Sequence, residues 1–321
     1  WFRCYRMKAL KLKGGSGELV EVSAPSPGAT DVVVDVAAVG MSAADLAAAG
    51  SGVTPGRFFA GSIAAIGPAL AGFQIGDTVV AAPPGACGMC GACLRGDDAY
   101  CARADVLYGG IRPGVDVDGG AAQQVCVDAS FLALAPNLDL AVAALASDVG
   151  VHSLHAIRSA GDTITAGNTV AVLGAGVLAA YTAALLEATA GVEVLRISDY
   201  SAGNQQRLLT EFAYDGIPAS LVMDRTQEAC DFAVEITAMG GAIVLANNGS
   251  GEVLVTPVPA TRYEVAVRAI EYGNRSDLIE LLKLLQLKPI EVEHRRVCLD
   301  EFASFDSKRL RDIEPGLIVV I

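Results

Sequence analysis

Positive charge is scarce in this chain of 321 residues. Lys and Arg number 23 against 36 Asp and Glu, a formal net charge of −13. A surface of that sign repels phosphate backbones, which excludes nucleic acid as an expected partner. Charge of either sign is low, at 18%, while hydrophobic residues reach 52%. That balance excludes a disordered chain and provides for a large buried core. A secretory leader is not expected, because the opening W-F-R-C-Y-R has neither an apolar run nor a small-residue cleavage site. A membrane span is not expected either. The most tempting segment, Thr169–Glu187, carries Gly174 and Gly176 and changes midway from a strand-like to a helix-like pattern. A reducing, cytoplasmic compartment is therefore expected, in which the eight cysteines are thiols or metal ligands before they are disulfides.

The pattern along the chain changes once. Strands are predicted at Lys8–Lys13, Leu19–Val22, Val32–Val39 and Val79–Ala82, with glycine turns between them. A Gly-, Cys- and Pro-rich stretch at 83–110 offers little regular structure, and helical pattern begins around Leu140–Ser159. From Asn168 onward strands and helices alternate: Val170–Leu173, then Leu178–Ala190, Glu193–Ile197, Gln205–Ala213, Ser220–Met223 and Ala242–Ala246. That alternation predicts a parallel sheet covered on both faces. A last helix is predicted at Ser276–Leu287. The fold class is α/β, with a β-rich domain at 1–149 and 273–321 and a nucleotide-type domain at 150–272 inserted into it.

Cys87, Cys90, Cys93 and Cys101 stand in the spacing C-x2-C-x2-C-x7-C, inside a lobe at 85–103. Four thiolates on a glycine-rich loop suit a closed tetrahedral zinc site, which stabilises and does not catalyse. One structural zinc per chain is expected. An iron–sulfur cluster uses similar ligands, but the neighbouring motifs argue against it.

The run V-A-V-L-G-A-G-V-L-A places Gly174, Gly176 and Ala179 in a G-x-G-x-x-A arrangement between a strand and a helix. The first glycine makes the turn, and the second lets a pyrophosphate approach the helix N-terminus, at Val177 and Leu178. An acidic residue ordinarily closes the second strand and takes the ribose hydroxyls. Here that end carries Ser198, with Asp199 next. Ser198 leans the expectation towards NADP(H) over NAD(H); Asp199, one residue on, would restore NAD(H). Arg207 is either a phosphate partner or part of a solvated helix face.

With these motifs in order, the chain resembles the medium-chain dehydrogenase/reductase superfamily, in its zinc alcohol dehydrogenase branch. The resemblance runs from M-K-A-L through V-V-V-D-V-A-A-V-G-M-S-A-A-D, I-G-P-A-L-A-G-F-Q-I-G-D, the cysteine lobe and the nucleotide turn to G-N-R-S-D-L at 273–278. It implies a GroES-like β domain, a Rossmann domain, a small-molecule substrate and a homodimer or homotetramer. The family's catalytic zinc takes a Cys from a G-x-C-H-S-D-like segment, a His from G-H-E-x-x-G, and a Cys or Asp beyond the lobe. At the matching positions this chain has Ser42, Arg57 and Asp148, with Ala44 where a proton-relay hydroxyl usually stands and Phe58 in place of the glutamate. The expectation is therefore a structural zinc without a catalytic one.

Without a Lewis acid, alcohol–ketone interconversion is disfavoured, and hydride addition to an activated C=C is the compatible chemistry. Coupling to ring closure on a natural-product substrate is an extension of the same expectation. His152, four residues after Asp148, is the candidate proton handler. Arg57 is expected to pair with Asp148 or Asp45, or to clamp a substrate anion, because an unpaired buried guanidinium is costly. The alternative is a non-redox cyclase, dehydratase or isomerase on the same fold.

Overall fold

The computed structural model describes residues 6–13, 16–49, 52–83, 89–97, 100–102, 112–212, 215–224, 226–246, 264–270, 272–313 and 316–321. Its contacts divide the chain into two compact units. One comprises Trp1–Asp148, Asn274–Leu287 and Glu293–Ile321; the other comprises Val149–Gly273 and Lys288–Val292.

The first unit opens with an antiparallel hairpin of β1 (Arg6–Lys13) and β2 (Ser16–Ser23). Its main sheet is built from β3 (Asp31–Met41), β4 (Phe58–Ile66), β5 (Thr78–Ala81), β6 (Gln124–Asp128), β7 (Leu132–Leu134) and, from the tail, β13 (Arg296–Cys298) and β14 (Leu317–Val320). The order is β13-β14-β3-β4-β5-β7, with β6 also pairing β3. Valine is the commonest residue of β3, and Val32, Val34, Val36 and Val39 enter the core with Phe59, Ile63 and Phe302. β-Branched side chains suit such a buried pleat. Two pairings set the geometry at the end of β3. Gly40 of β3 lies opposite Phe58 of β4, and Ile318 of β14 lies opposite the same Gly40. The ends of three strands, carrying Ser42, Arg57 and Gly316, therefore converge.

The second unit holds β8 (Thr169–Leu173), β9 (Glu193–Ile197), β10 (Ile217–Val222), β11 (Thr237–Leu245) and β12 (Ala266–Ala269). All pairings are parallel, in the order β12-β11-β10-β8-β9. Alternation along β8 sends Val170 and Val172 to one face, with Ala179, Ala183 and Leu186 of the helix Val177–Thr189. Ala171 and Leu173 face the other way, towards Leu208 of the helix Ala202–Glu211 and Phe232 of the helix Gln227–Ile236. The parallel, doubly covered sheet matches the expectation from the alternating pattern.

Its order does not follow the usual dinucleotide arrangement. Counted within the unit it is 2-1-3-4-5, whereas that arrangement is 3-2-1-4-5-6. Only residues 212–216 separate the helix Ala202–Glu211 from β10, too few for a further strand and helix. β9 is consequently an edge of the sheet among the described residues. The helix after β9 begins earlier than its apolar spacing predicts, because the Ser201 side chain caps it by accepting from the Asn204 N–H.

The helical run Leu140–Ser159 is long and apolar enough to cross a membrane by length and composition, yet 61% of its most apolar window is buried within the protein. Core helices of globular proteins share that property.

Candidate active site and nucleotide turn

In the first unit the converging strand ends assemble a small charged cluster. Ser42 is the N-cap of the helix Ala43–Ala48 and forms a capping box with Asp45. The Ser42 hydroxyl donates to Asp45 Oδ2 at 2.6 Å and the Ser42 backbone N–H to the same oxygen at 2.9 Å. Asp45 Oδ1 accepts from Arg57 Nε at 2.6 Å, and the Asp45 side chain is fully buried while that of Arg57 is 39% exposed. The Arg57 guanidinium also lies 4.8 Å from the centre of the Phe58 ring, a cation–π distance.

Glycines fix where Arg57 begins. Gly56 has φ +104°, and a Cβ there would stand 2.9 Å from the Ala121 backbone nitrogen. A Cβ on Gly114 would lie 2.9 Å from the Arg57 nitrogen. The segment 112–121 therefore passes backbone to backbone against Pro55–Arg57, held by Gly120 N–H to Gly56 O at 2.8 Å and Ala121 N–H to Pro55 O at 2.9 Å. No side chain fits between the two segments, so the arginine emerges from a rigid base. No local pattern in the sequence signals this contact, because the two segments lie about 60 residues apart.

Asp148 joins the cluster from a π-helical turn, Ala146–Gly150, that follows the helix Leu140–Leu145. Single π turns are often found at functional sites. Its Oδ2 lies 3.5 Å from where a Cβ on Gly40 would stand, and that oxygen accepts no hydrogen bond among the described residues. Burial pushes the Asp148 carboxyl up to about 7; the charge of Asp45 acts in the same direction, while Arg57 and the Gly316 N–H pull it back. Asp148 is thus partly protonated at neutral pH, beside the Asp45–Arg57 ion pair.

Of the four candidate catalytic residues, Ser42, Arg57 and Asp148 are brought together, and the ion pair of Arg57 is with Asp45. His152 belongs to the second unit, on the helix Val151–Ser159, with its ring 5.8 Å from that of Tyr272. Asp148 lies within the π turn and His152 in the helix that follows it.

In the second unit Gly174 turns the chain at φ +140°, a conformation that favours glycine. A Cβ there would stand 3.2 Å from Ala179 Cβ and 3.3 Å from the Asp224 nitrogen. Gly176 is the N-cap of the helix Val177–Thr189, so the N–H groups of Val177, Leu178 and Ala179 open its first turn. This is a close-approach cradle for a phosphate, and the residues fit the phosphate of a nicotinamide nucleotide there. Ser198 directly follows β9. Asp199 accepts from the Ser201 N–H at 3.0 Å and the Ser201 hydroxyl at 3.1 Å. Arg207 pairs with Glu211 at 2.9 Å and donates to Asn204, the solvated-face arrangement.

In the lobe, the Sγ atoms of Cys90, Cys93 and Cys101 lie within 4.8 Å of one another, and those of Cys90 and Cys93 are 3.4 Å apart. Ligands at about 2.3 Å from a tetrahedral zinc stand about 3.8 Å apart, so this set fits the metal. Cys87 lies outside the described residues. Among the described residues the lobe contains a short helix, Gly91–Leu94, where little regular structure is predicted.

The profile of the alcohol dehydrogenase GroES-like domain matches residues 28–137. The L-threonine 3-dehydrogenase of Saccharopolyspora erythraea is 27% identical over 328 residues, covering 91% of this chain and 92% of that enzyme. The L-threonine 3-dehydrogenase of Pyrococcus horikoshii is 31% identical over 202 residues, 58% of this chain. That match spans about half of the relative's length, 54%. A thermostable alcohol dehydrogenase from Pyrobaculum aerophilum has the same fold, with a TM-score of 0.82 at 23% identity, covering 99% of this chain and 100% of that one. The chain carries an alcohol dehydrogenase GroES-like domain and is similar over most of its length to a dehydrogenase. Within this fold the charged cluster lies at the strand ends of the GroES-like unit, and the glycine turn lies in the parallel-sheet unit.

Proposed function

We propose that this protein is a medium-chain dehydrogenase/reductase, a nicotinamide-dependent reductase that adds hydride to an activated C=C without a catalytic zinc. The observation that carries the reading is the 2.6 Å pair between Arg57 and the buried Asp45. A fixed cation stands where the family's histidine ligand belongs, and the Ser42 hydroxyl at the cysteine position is committed to Asp45. A guanidinium has no lone pair for a metal, so these residues do not fit a catalytic zinc. Among the described residues the only cluster of three potential metal ligands is Cys90, Cys93 and Cys101, which supports one structural zinc per chain.

A nicotinamide dinucleotide at the glycine turn supplies the hydride. The chain's own residues manage the resulting charge. When hydride adds to the β-carbon, the π electrons move to the carbonyl oxygen as an enolate, and a proton must reach the α-carbon. Arg57, pre-positioned by Asp45, offers N–H donors to that oxygen. Asp148, partly protonated near neutral pH, and His152 are the groups proposed to deliver the proton. The 2′-phosphate form of the cofactor is supported by Ser198 at the end of β9. The same reading gives a small organic or natural-product substrate, a homodimer or homotetramer, and a cytoplasmic enzyme.

The test is reduction of an α,β-unsaturated ketone by NADPH or NADH, alongside oxidation of simple secondary alcohols by the oxidised cofactors. Consumption of reduced cofactor with the enone alone, together with about one zinc per chain by elemental analysis, is expected. Alcohol oxidation accompanied by two zincs per chain would overturn the proposal. Cys93→Ser is expected to lose the zinc and melt at least about 5 °C lower. Zinc retained in full by that variant would remove Cys93 from the ligand set.

A further inference from the structure

The site proposed to hold the nicotinamide cofactor has an unusual feature on its adenosine side. In open parallel sheets, ligands bind outside the carboxyl ends of the strands where the order reverses. Here that point lies beside β8, between the tips of β9 and β10, and the Gly174 turn sits in it. Gly174 N–H donates to Ile197 O of β9 at 2.8 Å, while Met223 N–H and Asp224 N–H, just past β10, donate to Leu173 O at 2.8 and 3.1 Å. With the pyrophosphate on the helix N-terminus at Gly176, the adenosine of a dinucleotide lies towards the tip of β9.

Two side chains meet across that place. Tyr200, three residues past the end of β9, donates its hydroxyl to Asp224 Oδ2 at 2.9 Å. The two strand tips flank β8, roughly 10 Å apart by strand spacing, so the phenol bridges the crevice from one side to the other. Its ring packs against Phe232, with centroids 5.6 Å apart, on the face that carries the helices Ala202–Glu211 and Gln227–Ile236. Burial, with the hydrogen bond to Asp224, holds the phenol well above its ordinary range, so the donor proton is retained at any working pH.

The shortened topology explains why Tyr200 is there. In the usual order the chain leaves the second strand for a third strand beyond it. With only residues 212–216 between the helix Ala202–Glu211 and β10, it must cross back under β8 at once. That crossing carries Ser198–Ser201 over the end of the sheet towards β10, and Tyr200 with it.

We propose that Tyr200 and Asp224 are the residues that discriminate among nucleotides at this site: joined, they close the adenosine half of the crevice and leave the glycine turn open to a nicotinamide mononucleotide. The inference rests on the nicotinamide reading of the glycine turn. A purine ring is about as thick as the van der Waals separation of two stacked rings and does not pass through a 2.9 Å hydrogen bond. Entry of adenosine therefore requires the pair to part, and the lost bond to a carboxylate weakens every dinucleotide alike.

The experiment measures dissociation constants of NADH, NADPH and reduced nicotinamide mononucleotide by calorimetry or nucleotide fluorescence, on the full chain and its Tyr200→Phe variant. Phenylalanine keeps the ring on Phe232 and removes only the hydroxyl. NADH and NADPH are expected to bind roughly tenfold tighter to the variant, with the mononucleotide unchanged. Equal or weaker dinucleotide binding to Tyr200→Phe overturns the latch, while mononucleotide binding leaves the nicotinamide reading standing. Tightening of the mononucleotide by the same factor also overturns it, since the effect would not be specific to adenosine. If none of the three binds either protein, both proposals fall. Asp224→Asn, which keeps an acceptor for the phenol, is expected to give an intermediate gain.

Discussion

Asp148→Asn is expected to be more stable than the parent at pH 8 and to lose that advantage by pH 4. The cause is the buried carboxyl at about 7, against about 3.9 for an aspartate in an unfolded chain. Raising a carboxyl in the folded state means that the folded chain binds the proton more tightly than the unfolded one. Below about pH 4 both states carry it and there is no penalty. As pH rises from 4 to 7 the unfolded chain releases its proton first, and stability falls at about 1.4 kcal/mol per pH unit. Above about 7 both states are ionised, and the accumulated loss levels off at roughly 4 kcal/mol. Asparagine does not titrate, and its amide oxygen can still accept from the Gly316 N–H. Denaturant midpoints for both proteins between pH 4 and 8 check this directly. Two parallel profiles would mean that Asp148 is ionised throughout and that the cluster carries a second negative charge.

Arg57→Met is expected to act in the opposite sense and to lower stability. Asp45 is fully buried and already receives both Ser42 donors on one oxygen. Removing the guanidinium leaves the other oxygen as a buried negative charge without its cation. Such losses cost about 3–5 kcal/mol, and the partial exposure of Arg57 places this one at the lower end of that range. Adding Asp45→Asn to the variant should return at least half of the loss, because the charge that needed an answer is gone. The two single variants and the double form one cycle, read by chemical denaturation. A single-variant loss below about 1 kcal/mol would show that solvent screens the pair and that the arginine is held by other contacts.

The groups in these two experiments are visible in the sequence to different degrees. The nucleotide turn is legible because it is local: two glycines, a strand before and a helix after lie within a dozen residues. The positions of Ser42, Arg57 and Asp148 are legible through family motifs, but their pairing is not. Arg57 meets Asp45 because Gly40 faces Phe58 across β3 and β4, and that register is a property of the folded sheet. The base under Arg57 is hidden for a similar reason. Gly114 and Gly120 look like ordinary turn glycines until the chain near 115 is laid against the chain near 56.

The π turn at Ala146–Gly150 has no signature, since an apolar, alanine-rich stretch gives the same pattern with or without it. The contraction of the nucleotide unit is visible in the sequence as a shortening around Tyr214–Cys230. That the shortening sends the next helix to the opposite face of the sheet, and Tyr200 across to Asp224, depends on right-handed crossover geometry, which only the arranged strands reveal.

The capping box at Ser42 bears on the history of the protein as well as its chemistry. The serine begins the helix Ala43–Ala48 and anchors the carboxylate that aims Arg57. A Ser42→Cys substitution would give up a helix cap worth about 1 kcal/mol while Arg57 stayed paired to the same Asp45. The first step towards a metal ligand therefore loses stability and gains nothing in binding. A folding role taken up at one residue acts as a ratchet on the whole site, and substitutions at Ser42 and Arg57 should be found to travel together.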